Sequence, residues 1–246
     1  MSIFVHKLSI GIADTVMEDQ NIKQDLIDLY SRYWDAYINN IRTKTYSAYP
    51  FLLWPQESYV FASTRIMICG QETQGWGIEL DEEDPSIISP RRIVNIYNDF
   101  VNKGGYNSPY WNFSKRISRA LSGVGIVYNN INKIGKRRGA GCDESIFQLT
   151  QAHFPVFKTE VDILRPDLII FLTGPKYDRK IEKILGSFDK KKISGDKLIS
   201  KLSFEDSSLP PAIRTYHPGY LQRKRLYGSY SEAVVQVVKE ITSILH

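Results

Sequence analysis

Four short polar clusters, each closing a short apolar run, hold the residue types that bond-breaking chemistry needs. Gly70-Gln71-Glu72-Thr73-Gln74-Gly75-Trp76-Gly77 follows residues 65–69, and Asn129-Asn130-Ile131-Asn132-Lys133 closes residues 124–131. Thr173-Gly174-Pro175 follows residues 168–172, and His217-Pro218-Gly219-Tyr220-Leu221 follows residues 212–216. A carboxylate such as Glu72 stabilises a developing cation or orients water. An imidazole such as His217 donates to a developing anion. A side-chain amide such as Asn130 or Asn129 offers donor and acceptor together, so it can read a polar edge. Each residue also has a plainer use. Glu72 can serve a helix start, the asparagines can form turns, His217 before a proline can simply end a strand, and Trp76 reads as a packed lid. Their joint occurrence at four run ends is what points to a site.

Those runs must be buried strands to bring the clusters together. Arg65-Ile66-Met67-Ile68-Cys69-Gly70 reads as a strand and tight turn. Helical spacing predicts helices near 19–42, 90–102, 109–121, 143–164, 176–186 and 229–245, with Pro90 and Pro109 suited to first turns. Tyr49-Pro50 through Trp54-Pro55 breaks the pattern. Strands alternating with helices predict a three-layer α/β/α sandwich around a central four-stranded, mainly parallel sheet. Ligands of such sheets bind beyond the carboxyl ends of the strands, where the polar clusters fall. No repeat or low-complexity linker divides the chain. Residues 1–246 read as one domain, with 1–60 a helical N-terminal extension packed on it.

With 246 residues, the chain is long enough to bury a core without staples. Two cysteines, Cys69 and Cys142, exclude a disulfide framework and a four-thiolate cluster. No apolar run approaches the roughly 20 residues of a membrane span, and the start lacks a cleavable signal pattern. These features predict a cytoplasmic protein with no membrane partner. Formal net charge is +5, unevenly spread: residues 1–123 hold 12 basic and 14 acidic residues, and 124–246 hold 20 and 13. Lys133-Lys136-Arg137-Arg138, Lys190-Lys191-Lys192 and Arg223-Lys224-Arg225 are the basic clusters, each either a solvated face or a phosphate contact. The lysine run at 190 reads as a surface loop, and the acidic stretch 79–85 as an exposed loop that repels nucleic acid.

Over about residues 62–225 the chain resembles the uracil-DNA glycosylase superfamily. Gly70-Gln71-Glu72 is similar to that family's Gly-Gln-Asp-Pro-Tyr segment, and Asn130-Ile131-Asn132-Lys133 resembles its Asn-x-x-Lys stretch. Residues 164–174 look like its third strand and glycine, and His217-Pro218-Gly219-Tyr220-Leu221 resembles its His-Pro-Ser-Pro-Leu motif. The resemblance implies hydrolysis of an N-glycosidic bond in DNA, releasing uracil or a related damaged base. Glu72 would stabilise the cationic sugar and His217, as a neutral donor, the leaving base. Gln71, Asn130, Asn129 and Trp76 would bind the base, with Tyr106, Tyr110 and Trp111 further stacking candidates. Lys133, Leu221, Arg223, Lys224 and Arg225 would meet DNA, Leu221 as the wedge that fills the stack vacated by a flipped nucleotide. No metal or organic cofactor is required.

The chain departs from the family pattern in several places. Glu72 replaces an aspartate, moving the carboxylate by roughly 1.3–1.5 Å, a shift that can cost about a hundredfold in rate. Thr73 and Gln74 replace the proline and the tyrosine that excludes thymine. Gly219 and Tyr220 replace serine and proline. The iron–sulfur branches are excluded by cysteine count. A non-catalytic nucleic-acid-binding module of the same fold and a small-molecule nucleoside-type hydrolase are the alternative readings.

Overall fold

The central strands are buried on both faces, and their alternating side chains give two helical layers one shared sheet. The computed structural model describes residues 2–121, 123–139, 141, 143–193 and 199–245, with side chains except those of 2–19, 85, 244 and 245. In chain order its elements are α1 (Ser2–Tyr37, continued by a π-helical turn, Ile38–Arg42), β1 (Ser47–Pro50), α2 (Glu57–Val60) and β2 (Thr64–Gly70). Next come α3 (Pro90–Asn102), α4 (Pro109–Ala120), β3 (Val124–Asn130), β4 (Ile134–Lys136), α5 (Glu144–His153), α6 (Phe157–Leu164) and β5 (Leu168–Phe171). The chain then forms α7 (Asp178–Leu185), β6 (Phe188–Lys192), β7 (Ser200–Phe204), β8 (Ala212–Arg214), α8 (Pro218–Arg223) and α9 (Tyr227–Leu245).

The main sheet runs β3-β2-β5-β8-β7-β6. Its first four strands are parallel, with Ile68 opposite both Tyr128 and Ile170, and Ile170 opposite Ile213. Successive side chains of a strand point to opposite faces. Met67, Cys69, Ile169 and Phe171 therefore pack beneath the layer of α1, α3, α6 and α7. Ile66, Ile68, Ile170 and Ile213 pack against Phe113 and Ile117 of α4 and Val234 and Val238 of α9. The result is an α/β sandwich of three layers. From its described side chains, α1 contributes Leu26, Tyr30 and Tyr37 to the same buried cluster as the sheet. Among the described residues, no helix is long and apolar enough to cross a membrane.

Several sequence expectations change. Among the described residues the sheet has six strands, because β8 pairs antiparallel with β7 and β7 with β6. The lysine run at 190 lies in β6, an edge strand, with Lys190 paired to Asp178 at 2.8 Å. Charge on an exposed edge blocks further pairing, and it also hides the strand from a search for apolar alternation. Residues 143–164 form two helices, α5 and α6, since Pro155 removes a donor and restricts the residue before it. The acidic stretch is an ordered turn: Ile78–Glu82 is a 3-10 helix with Leu80 buried, and Asp81 pairs with Arg42 and Arg137. The break near Tyr49-Pro50 contains β1, paired antiparallel with β4. Cys142 lies outside the described residues.

Candidate active site

The connection after β2 leads to β3 on one side of the sheet, while the connection after β5 leads to β8 on the other. A crevice forms where the connections diverge, outside the carboxyl ends of the strands. A cavity of about 670 Å³ lies here. Glu72, just after β2, Asn130, ending β3, and His217, just after β8, all line it. The wall opposite is set by the second half of α3, with Ile96, Asp99 and Phe100, and by the start of α4, with Tyr110 and Trp111. Ser89 and Ser108 cap α3 and α4 by accepting the N–H groups of Arg92 and Trp111, and Pro90 and Pro109 follow as first-turn residues.

The Glu72 carboxylate is held from two loops. Its Oε2 accepts hydrogen bonds from Asn132 Nδ2 at 2.9 Å and from the Tyr177 hydroxyl. Asn132 Oδ1 in turn accepts from Lys180 Nζ at 3.4 Å, and Lys180 pairs with Glu144 at 3.1 Å. Tyr177 and Lys180 carry no sequence signal of this role, because they lie far along the chain beside the turn opening α7. Gln71 lines the cavity, but its side-chain N–H donates to the Thr173 carbonyl at 2.7 Å. Its backbone carbonyl accepts from Asn132 at 2.9 Å. Gln71 thus ties the loops after β2, β3 and β5 to one another.

Asn130 needs Gly70. A Cβ on Gly70 would stand 2.4 Å from Asn130 Oδ1 and 3.1 Å from the Tyr110 ring. Asn129 points to the opposite face, as strand alternation demands, and is fully buried. Its Nδ2 donates to Glu160 at 3.0 Å, and its Oδ1 accepts from Lys133 at 2.8 Å and from the Asn130 N–H at 2.8 Å. Asn129 is therefore a support for Asn130 and does not line the cavity. Lys133 also departs from expectation: it is 1% exposed and pairs with Glu160 at 2.8 Å. An ammonium enclosed in the core reaches no phosphate. Tyr30 completes the cluster, donating to Glu160 at 2.8 Å and accepting from the Leu53 N–H at 3.0 Å. Burial pushes the Glu160 carboxyl up and the Lys133 ammonium down. Sequence reading missed Glu160, although a carboxylate among Phe157, Val161 and Leu164, on the apolar face of α6, is a signal of a buried partner.

His217 is half-buried, and its Nδ1 accepts the Gly219 N–H at 3.1 Å. An accepting Nδ1 carries no proton, so the neutral ring holds its proton on Nε2 and is a donor there. Burial first, and the Arg223 charge second, lower its pKa from the usual histidine value. The Tyr110 ring stacks nearly parallel to it, at 6.3 Å and 15°. Leu221 is fully buried against α4 and α9, so it is a core residue and not an exposed wedge. The short α8 turns its apolar side inward, which leaves Arg223, Lys224 and Arg225 exposed beyond it.

Aromatic side chains form the remaining walls. Trp76 is 6% exposed and sits edge-on to Phe51 at 4.8 Å and to Phe100 at 5.4 Å. Tyr106, 66% exposed, stands 4.7 Å from Phe100. Trp111 packs edge-on to Phe100 and Tyr110. Phe51 and Phe100 were not legible as site residues, since nothing in their neighbourhood distinguishes them from core aromatics. Among the described residues, no group of three His, Cys, Asp or Glu side chains is placed to hold a metal ion. Cys69 is buried, and burial pushes its thiol up. No family model matches the chain, and no curated protein matches it in sequence.

Proposed function

We propose that this protein is a DNA glycosylase of the uracil-DNA glycosylase type, hydrolysing the N-glycosidic bond of uracil or a related damaged base. One observation carries the reading: a fixed carboxylate, an amide and a neutral imidazole donor reach one cavity from three strand ends. In the proposed reaction the C1′–N bond breaks and its electron pair goes to the base. Glu72 stabilises the cationic sugar and orients the water that adds to C1′. His217 Nε2–H stabilises the negative charge on the departing base, as an oxyanion hole would. The Asn130 amide reads the polar edge. Exposed Arg223, Lys224 and Arg225, next to His217 in the chain, supply phosphate contacts.

The test is base release from uracil-containing single- and double-stranded oligonucleotides, with Glu72→Gln beside the parent protein. Release by the parent, reduced about a hundredfold or more in the variant, supports the assignment. The burial of Leu221 and Lys133 favours a second reading, hydrolysis of a free nucleoside, because it removes two of the DNA contacts. Turnover of free deoxyuridine without turnover of uracil in DNA would select that reading.

A further inference from the structure

The cavity holds more than excision of uracil requires, and the surplus has a consistent chemistry. Its volume of about 670 Å³ falls among sites for drug-sized ligands, of about 300–1,000 Å³, and a single pyrimidine ring would fill a minor part of it. Six aromatic side chains line it: Phe51, Trp76, Phe100, Tyr106, Tyr110 and Trp111. Three carboxylate side chains, Glu72, Glu79 and Asp99, face it against one ammonium, Lys103. Aromatic faces and carboxylates both attract cations, Glu79 and Asp99 from exposed positions. Two lining residues, Trp76 at Nε1 and Thr73 at Oγ1, have buried polar atoms without a hydrogen-bond partner among the described residues. A buried indole N–H calls for an acceptor, and none of the described residues supplies one.

Resting on the base-excision reading, we propose that the cavity takes an N-alkylated purine carrying positive charge, with N7-methylguanine in DNA as the simplest case. The cation meets the aromatic walls and Asp99, and the exocyclic oxygen of the purine supplies the acceptor that Trp76 and Thr73 lack. The chemistry balances without a further reactant. The C1′–N9 bond breaks, and its electron pair neutralises the charged imidazole ring of the base, which leaves uncharged. Water adds to C1′ and gives its proton to Glu72 and then to solvent. A cationic base is a better leaving group than uracil, so the reaction asks less of the displaced Glu72 carboxylate. Gln74, an exposed residue of the cavity lining, stands where the resembled family carries the tyrosine that excludes thymine.

The experiment compares oligonucleotides bearing a single N7-methylguanine, uracil or unmodified guanine, with the full chain and its Asp99→Asn variant. Release of N7-methylguanine at least tenfold above both its spontaneous rate and the rate for uracil is expected. Asp99→Asn should lower that release about tenfold more than it lowers release of uracil. Release of uracil but not of N7-methylguanine overturns the inference and leaves the glycosylase reading standing. Release of neither ends the glycosylase reading, and the cavity's preference is then read by quenching of tryptophan fluorescence. Cationic N7-methylguanosine should bind at least tenfold tighter than guanosine; equal binding, or none, overturns the inference.

Discussion

At the scale of single residues, the site depends on close approach and on one protonation state. Gly70 is the only residue that leaves Asn130 Oδ1 its position, because any Cβ there would lie 2.4 Å away. Gly70→Ala should displace the Asn130 amide and cut base release about a hundredfold, a size expected from a displacement near 1 Å. Steric overpacking should cost about 1–3 kcal/mol, read by denaturant unfolding, so the protein should remain folded. His217 makes a separate prediction. Its function is as the neutral donor, and its folded pKa lies below the usual 6.5. The pH–rate profile should therefore be flat above about 6.5 and fall only at lower pH. Stability follows the same sign: the unfolded chain takes up the proton first, so this group destabilises the fold as pH drops below about 6.5, and the loss stops below the folded pKa. Removing the secondary cause with Arg223→Ala should move the acid limb upward toward the ordinary histidine value. An acid limb that stays put would show that Arg223 does not reach the imidazole electrostatically.

At the scale of elements, the buried cluster joins α1, β3 and α6 beneath the site. Lys133→Met would leave Glu160 enclosed without its cation, and breaking a buried pair from one side costs about 3–5 kcal/mol. Replacing both residues with Lys133→Met and Glu160→Met should recover only part of that loss, because the buried charge is gone but Tyr30 and Asn129 lose their hydrogen-bond partners. Denaturant unfolding of the two variants measures the difference. The same cluster shows what was legible in the sequence. The four parallel strands stood out as apolar runs because both of their faces are covered by helices. Polar residues closing those runs, Glu72, Asn130 and His217, could be placed at one rim from topology alone. The roles of Asn129 and Lys133 could not. Asn129 differs from Asn130 only by the side of the strand it occupies, and its partners Glu160 and Tyr30 come from distant parts of the chain. Leu221 was misplaced for a similar reason: the apolar side of the short α8 is defined by α4 and α9, and not by its own pattern. Strand β6 escaped notice because an edge strand rich in lysine has no apolar alternation, and β7, inside the sheet, offers only Leu202 and Phe204 over five residues.

At the scale of the molecule, the excess of positive charge in the second half is smaller at the surface than the composition suggests. Lys133 pairs with Glu160 in the core and Lys180 with Glu144, while Arg137 shares Asp81 with Arg42, and Lys190 and Arg214 share Asp178. Exposed basic residues near the cavity are Lys103 on its wall and Arg223, Lys224 and Arg225, on and just after the helix that His217 caps. If DNA is the substrate, the last three should carry a large share of the phosphate contacts, because they follow His217 at the cavity, whereas the exposed Arg138, Lys191 and Lys192 do not line it. Each phosphate neutralised in duplex DNA contributes about 0.9 to the slope of log affinity against log salt. Joint Arg223→Ala, Lys224→Ala and Arg225→Ala should therefore flatten that slope by about 2–3 and weaken binding most at low salt. Turnover of a free nucleoside by the same variant should fall much less, because no phosphate takes part. Substitution of Lys190, which is tied to Asp178, should leave the slope nearly unchanged. A slope that responds to Lys190 and not to the three residues of α8 and its exit would move the DNA path to the β6 edge, away from the cavity. The trio of Glu72, Asn130 and His217 would then have no polymer within reach, and the free-nucleoside reading would take its place.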